Sequence, residues 1–434
     1  MAPLAVLYKK MGWKVTGSDR AFFPPMSTYL EKNGIAIMPG FKAAHLEAKP
    51  DMVLAMAFIT GKNPEIIAAK KLKIPVKVYA DVLPGLIERE NSIVIAGDCG
   101  KTSTAALVTW LLETAGYNPS FMIGGLPKDF EHGIRRTHSA WSVMEGDEYP
   151  ASNWDNTPRF LYYNPKYLIL TDVSWDHMDK FPSEKIYISM FEKLVAKVPK
   201  DGVVIANREG HNVKQVVKNA KAQVVFYDSL SFKNFPTPFK GNIWRQNSAA
   251  AIVLARCLEI DDMTTRASLK SFSGIKRRQE VRAEHQNVVV IDDNAHTPIK
   301  VAGCLDAISK MFPKHLIYAI YEPGNRSRHA LAMAAYKSCF EDADAVILPR
   351  VSAASEEVRD FNKKLAKRLM RYYKNCKYIE SDDAVLLEIK KLADRAKQSA
   401  SARRGGRRKK KIAFVFMSQK GFRGMIDETT SLLQ

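Results

Sequence analysis

Ser92-Ile93-Val94-Ile95-Ala96-Gly97-Asp98-Cys99-Gly100-Lys101-Thr102-Ser103 is the stretch on which the reading of this chain turns. Its first five residues form a short apolar run of the kind a strand shows when both its faces are covered. A turn bearing Gly97 and Gly100 follows, and Lys101-Thr102-Ser103 leads into a helix expected over Thr104–Ala115. That order suits phosphate. Glycines let backbone N–H groups close around phosphate oxygens, and a helix N-terminus adds the positive end of its dipole. Lys101 would then reach the β- and γ-phosphates, while the Thr102 hydroxyl would hold Mg²⁺. Ile95 stands where the first glycine of the full GxxxxGK[ST] pattern belongs. A plain strand–turn–helix with an exposed lysine is therefore the competing reading.

Two acidic clusters downstream favour the phosphate reading. Glu145-Gly146-Asp147-Glu148 follows the apolar stretch Trp141–Met144, and Asp176-His177-Met178-Asp179 follows the strand expected at Tyr167–Leu170. Glu145 and His177 on neighbouring strand ends would suit the Mg²⁺ ions of a phosphoryl-transfer site. Taken singly, each cluster reads as a solvated acidic loop.

Working outward, strand and helix signals alternate along nearly the whole chain, which indicates α/β architecture with parallel sheets. At about 150 residues per domain, 434 residues suggest roughly three domains. The expected boundaries are 1–88, 89–274 and 275–434. The first eighty residues hold short strands expected at Lys14–Gly17, Ile35–Met38, Met52–Phe58 and Val76–Tyr79, with helices at Ser27–Asn33 and Pro64–Lys71. The second domain continues through Val203–Ala206 to a helix at Asn247–Leu258. The third carries strands at Val288–Ile291, Leu316–Ile320, Ala345–Leu348 and Ile412–Phe416.

Hydrophobic content of 46% and charged content of 26% exclude wholesale disorder. No apolar run approaches the roughly 18 residues of a membrane helix. Lys9, Lys10 and Lys14 break the N-terminal apolar stretch, so it does not read as a signal peptide. Five cysteines without CxxC or metal-ligand spacing fit a reducing cytoplasm, the expected location. The net charge of +20 includes seven positive charges within Arg403–Lys411, leaving +13 spread over the rest. That basic run reads as a surface loop, 401–411, inserted in the third domain. Nucleic-acid binding ranks low, since no aromatic residues interleave with the run. Diffuse basicity also suits an enzyme with nucleotide and acidic-peptide substrates.

These residues bring a family into view: the chain resembles the Mur ligases, most of all their muropeptide-recycling branch. Gly17-Ser18-Asp19 with Pro24-Pro25-Met26-Ser27, Gly61-Lys62-Asn63-Pro64, Gly97–Thr104, Asp147-Glu148-Tyr149, Arg159–Tyr163 and Asp176–Asp179 match in order. So do Arg277–Arg282, Asp292–Pro298, Glu322-Pro323 with the nearby arginines, and Ser418–Gly424. The resemblance implies three domains: Rossmann-like, P-loop ATPase-type and Rossmann-like. It also implies ATP-dependent joining of UDP-N-acetylmuramate to L-Ala-γ-D-Glu-meso-diaminopimelate through an acyl phosphate, in peptidoglycan recycling. Residue by residue, it puts Lys101 on the phosphates, Thr102 and Glu145 on a first Mg²⁺ and His177 on a second. Asn247, Arg278 and Asp293 fall on nucleotide-contacting positions. Ser18 and Asp19 fall on the UDP-sugar side, with His296, Arg326 and Arg328 as further substrate residues, the arginines for the peptide's carboxylates. The implied partners are these small molecules alone, without membrane, and the implied state is a monomer that closes around substrate.

Several positions depart from the family pattern. The strand and glycine-rich turn that open the family's first domain are expected to be missing, since Met1-Ala2-Pro3 lies at about the following helix. Asp98 puts a carboxylate in the phosphate turn. Of the family's GxHNxxN stretch, Gly241-Asn242-Ile243-Trp244-Arg245-Gln246-Asn247 keeps Asn247 but lacks the His and first Asn. Asn294 stands where an aromatic residue is usual, and Asp172 replaces an asparagine. These departures motivate a second hypothesis, a homologue that binds nucleotide or precursor without ligating it. An L-alanine-adding ligase is a further alternative.

Overall fold

The structure, a computed structural model, describes residues 1–22, 26–176, 180–324, 327, 333–351, 356–401 and 411–433, with backbone only at 356–360 and 398–401. The chain forms two compact units, Met1–Pro236 with Gln246–Ser273, and Thr237–Arg245 with Gly274–Gln434.

The first unit opens with short elements: α1 (Ala2–Lys10), β1 (Thr16–Asp19), α2 (Met26–Lys32), β2 (Ala36–Pro39), β3 (Val53–Ala55), α3 (Pro64–Lys71), β4 (Val76–Val78) and α4 (Tyr79–Ile87). Local chemistry sets their ends. Asn63 caps α3, its Oδ1 accepting from Glu65 N at 2.8 Å, and Pro64 occupies the first turn, where no N–H is needed. The four strands form two separate parallel pairs, β1–β2 and β3–β4. Among the described strands, none joins the two pairs into one Rossmann-like sheet. The apolar run expected as a strand at Met52–Phe58 pairs only over Val53–Ala55.

Next come β5 (Asn91–Ala96), α5 (Lys101–Thr114), β6 (Ser120–Met122), β7 (Ile134–Arg135), β8 (Trp141–Gly146), β9 (Tyr167–Leu170), α6 (Glu184–Lys197), β10 (Val203–Asn207), α7 (Val213–Val216), β11 (Gln223–Tyr227), α8 (Asn242–Cys257) and α9 (Asp262–Ser271). Their strands form one sheet in the order β11-β10-β9-β5-β8-β6-β7, parallel except for β7 against β6. β5 lies inside it, and Ile93 to Ala96 are fully buried, which is why its sequence is apolar without alternation. Chain order breaks at β5: β8 pairs on one side and β9 on the other. The loops after β5, β8 and β9 therefore meet at the carboxyl ends of neighbouring strands, where open α/β sheets bind ligands.

The second unit contains β12 (Glu280–His285), β13 (Val288–Asp293), α10 (Pro298–Met311), β14 (His315–Glu322), β15 (Ala345–Pro349), α11 (Glu356–Leu369), β16 (Cys376–Ile379), α12 (Asp382–Ser401), β17 (Lys411–Ser418) and α13 (Met425–Leu433). The sheet runs β12-β13-β17-β14-β15-β16, with only β12 antiparallel. Alternation of side chains splits its core in two. Val289, Ile291, Ala413 and Val415 cluster with Val301 and Leu305 of α10, whereas Val288, Val290, Phe414 and Phe416 cluster with Ile389 of α12 and Ile426 of α13. In the basic segment, Ser401 ends α12 and Lys411 opens β17. The other members of that segment, 402–410, lie outside the described residues. Among the described residues, no helix is long and apolar enough to cross a membrane.

Candidate phosphate-binding site

The turn between β5 and α5 is shaped by two glycines. Gly97 has φ +138°, and a Cβ there would lie 2.3 Å from Thr171 Oγ1 and 2.6 Å from the Asp172 carbonyl. Gly100, at φ +86°, swings the chain directly into α5, so the helix starts at Lys101, three residues before the expected Thr104. Lys101, Thr102 and Ser103 are thus its first three residues, whose N–H groups lack intrahelical acceptors and favour an anion.

The acidic stretch ending β8 meets this turn at two points. Thr102 Oγ1 donates to Glu145 Oε1 at 2.8 Å, and Glu145 Oε2 accepts from Gly124 N at 2.6 Å. Lys101 Nζ pairs with Glu148 Oε2 at 2.8 Å and bonds to the Gly97 carbonyl. Burial works against the Lys101 charge, but the carboxylates of Glu148, Asp98 and Asp147 outweigh it and hold the ammonium above its ordinary value. Glu148 is a member that sequence reasoning quoted without giving it a role. Its signal is the cluster of three acids in Glu145–Glu148, which does not show which acid faces the lysine.

Asp98 is buried, and its backbone N donates to the Asp172 carbonyl at 2.9 Å. Carboxylate oxygens of Asp98, Glu148 and Asp176 lie within 4.8 Å of one another. Asp172, on the loop after β9, accepts from His211 N at 2.6 Å and from Ser174 Oγ at 2.6 Å. His177 lies outside the described residues. A hydroxyl beside a carboxylate, as at Thr102 and Glu145, is the all-oxygen donor type that Mg²⁺ prefers, so this pair fits that ion.

Asn247, on α8, belongs to the same unit and is 2% exposed. Its Oδ1 accepts from Thr104 Oγ1 at 3.0 Å, while its buried Nδ2 has no hydrogen-bond partner among the described residues. An orphaned buried donor at the first turns of α5 fits a ligand that supplies an acceptor.

Further predicted residues lie elsewhere. In the first unit, Ser18 Oγ donates to Glu65 Oε2 at 2.7 Å, and Glu65 Oε1 contacts His45 Nδ1 at 2.6 Å. Glu65 and His45 are partners that the sequence did not single out; only the helix-start signal Asn63-Pro64 marks that place. Asp19 Oδ1 accepts from Arg20 N at 2.7 Å. In the second unit, Asp293 accepts from Gln279 N at 2.8 Å and Ala295 N at 2.6 Å. Burial pushes its carboxyl up, against the opposing pull of Arg278. His296 Nδ1 contacts the Asn294 carbonyl at 2.7 Å, and the His296 carbonyl accepts from Tyr321 Oη at 3.0 Å. Arg326 and Arg328 lie outside the described residues. The structure thus gathers Gly97, Gly100, Lys101, Thr102, Glu145 and Asn247 within the first unit. It places Arg278, Asp293 and His296 in the second.

Comparison with known proteins matches three successive segments of the chain. Residues 1–91 match the family model described as Mur ligase family, catalytic domain; 95–237 match the Mur ligase middle domain; and 277–421 match the Mur ligase, glutamate ligase domain. A UDP-N-acetylmuramate–L-alanyl-γ-D-glutamyl-meso-2,6-diaminoheptandioate ligase of Escherichia coli K12 is 33% identical over 348 residues, covering 74% of this chain and 76% of its own. A UDP-N-acetylmuramate–L-alanine ligase of Clostridium botulinum Okra is 28% identical, covering 82% of each. Among solved structures, a murein peptide ligase of Psychrobacter arcticus superposes with TM-score 0.72 at 23% identity, over 100% of this chain and 96% of that one, a likeness of fold.

Proposed function

The chain belongs to the Mur ligase family of ATP-dependent ligases, and from that premise we propose that it joins UDP-N-acetylmuramate to the peptide L-Ala-γ-D-Glu-meso-diaminopimelate. Relatives that it resembles over about three quarters of its length or more support a peptide-adding ligase of peptidoglycan metabolism. The observation that carries the ATP-dependent step is the glycine turn with Lys101 and Thr102 held by Glu148 and Glu145, and the peptide acceptor is inferred from the relatives.

In this reading the lactyl carboxylate attacks the γ-phosphorus of ATP, the bond to the β–γ bridging oxygen breaks, and ADP leaves. The peptide's amine then displaces phosphate from the acyl phosphate and gives up a proton as the amide forms. Lys101 contributes a fixed positive charge to the transferring phosphoryl group, and the N–H groups opening α5 orient its oxygens. Thr102 and Glu145 would hold Mg²⁺, with His177 proposed for a second ion. When bound, the metal neutralises phosphate charge. Asn247, Arg278 and Asp293 are proposed for the nucleotide; Ser18, Asp19, His296, Arg326 and Arg328 for the other substrates.

One observation favours a second reading, binding without ligation: Asp98 adds a buried carboxylate to the phosphate turn. Phosphate release from ATP, with UDP-N-acetylmuramate and tripeptide, separates the two. Acceptor-dependent release that Lys101→Ala reduces by at least about a hundredfold supports the ligase. A folded wild-type chain that binds nucleotide and releases nothing supports the second reading.

A further inference from the structure

Each acid of the β8 terminus has a different partner. Glu145 accepts from Thr102 at 2.8 Å, Glu148 pairs with Lys101 at 2.8 Å, and Asp147 Oδ2 accepts from Arg159 Nη1 at 2.6 Å. The first two partners belong to the phosphate turn, while the ligase reading leaves Arg159 without a role.

Arg159 is built into place from both sides. Its backbone N donates to the Tyr149 carbonyl and Phe160 N to the Asp147 carbonyl, each at 3.1 Å. Its guanidinium lies 5.7 Å from the centre of the Tyr149 ring. The bond to Asp147 is the one side-chain hydrogen bond it makes among the described residues, and its Nε is buried without a partner. One carboxylate takes up a small part of a group that carries five donors.

The segment leading to Arg159 reaches toward the N-terminal part of the same unit. Asn153 Nδ2 donates to the Phe58 carbonyl at 2.8 Å, and Ala151 clusters with Val78 and Ala80. Phe58 begins the loop that leads to Asn63 and Glu65, and Glu65 holds Ser18. Burial pushes the hydroxyl of Tyr79, which opens α4, above its ordinary value, with Arg159 pulling the other way. Arg159 is therefore tied on one side to the acids that hold the glycine turn, and on the other, through the segment before it, to the loop that leads to Glu65, the partner of Ser18.

We propose that Arg159 is a substrate-positioning cation that grips the carboxylate of the sugar nucleotide and presents it to the γ-phosphate. The assignment rests on the ligase reading for the identity of that carboxylate. A planar fork with donors to spare among the described residues suits a carboxylate, and Asp147 fixes its orientation before substrate arrives. Arg159 moves no proton. The carboxylate oxygen forms its bond to phosphorus as the bond to the bridging oxygen breaks, and the guanidinium only aligns and partly neutralises the attacking group.

Two measurements on the full chain test this: calorimetric titration with UDP-N-acetylmuramate in the absence of ATP, and KM for each substrate by phosphate release. Arg159→Met is expected to weaken sugar-nucleotide binding by about ten- to a hundredfold, leaving the KM for ATP within about twofold. Arg159→Lys, which keeps the charge but loses the fork, should lose a smaller factor and serves if the Met variant misfolds. A lowered melting temperature with unchanged sugar-nucleotide affinity would make Arg159 a structural tie and overturn the proposal. An equal rise in both KM values would overturn it too. If the wild type binds the sugar nucleotide but releases no phosphate, the ligase reading fails while the titration still decides on Arg159. A wild type that does not bind it overturns the assignment.

Discussion

At the scale of single residues, the phosphate turn combines a steric requirement with an electrostatic burden. Gly97→Ala forces a Cβ against Thr171 Oγ1 and the Asp172 carbonyl, in a region of φ that favours glycine. It should cost about 2–4 kcal/mol in urea unfolding. Asp98 acts differently. Like charges about 4 Å apart repel by roughly 4 kcal/mol at an effective dielectric of 20, and Lys101 offsets part of that. Asp98→Asn should therefore tighten ADP binding by about tenfold, measured calorimetrically; unchanged affinity would place its carboxylate away from the phosphates. The residues of this turn were legible in the sequence because glycine, lysine and threonine occur there in a chemically meaningful order. The pairing of Glu148 with Lys101 and Asp147 with Arg159 was not. Both depend on how the chain bends after β8, which no local pattern encodes.

At the scale of elements, the turn before α13 holds four successive residues in left-handed backbone. Gly421, Phe422, Arg423 and Gly424 have φ of 76°, 55°, 54° and 93°, so two residues with side chains sit in left-handed backbone. Such conformations cost roughly 1–2 kcal/mol per residue. Arg423 offsets this: its Nε and Nη2 each bond to Asp382 at 2.7 Å, and Nη1 reaches buried Glu322 at 3.3 Å. Arg423→Gly relieves the strain at one residue but removes these charge-assisted bonds, leaving a net loss of about 1–2 kcal/mol by thermal unfolding. Arg423 and Arg350 also hold the Asp382 carboxyl below its ordinary value, the bonds from Arg423 leading. The stability this contributes is complete above the unfolded value of about 4 and is lost as pH falls through the lower folded value. Asp382→Asn should flatten that acid limb of a stability–pH curve. The strands that feed this region were readable as apolar runs, and Pro64–Lys71 as a helix from its cap. The division of the N-terminal strands into two pairs was not readable as geometry, because pairing is a long-range property of short segments.

At the scale of the molecule, a net charge of +20 faces substrates that are all anionic in the proposed reaction. Exposed charges more than about 10 Å apart are largely screened at 0.1 M salt, so raising salt weakens this general attraction more than the buried contacts at Lys101. KM for both ATP and the sugar nucleotide should rise several-fold from low to high salt, with kcat nearly constant. A falling kcat with constant KM would contradict this. The order in which the chain leaves the ribosome adds a constraint. Residues 246–273 return to the first unit after 237–245 have entered the second. They bring Asn247 and Ser271 to Thr104 and Trp110 of α5, the Trp110 Nε1 donating to Ser271 Oγ at 3.0 Å. A nascent chain emerging N-terminus first therefore exposes the turn between β5 and α5 long before these contacts to α5 exist, and the proposed nucleotide site gains Asn247 only once more than half of the chain has been translated.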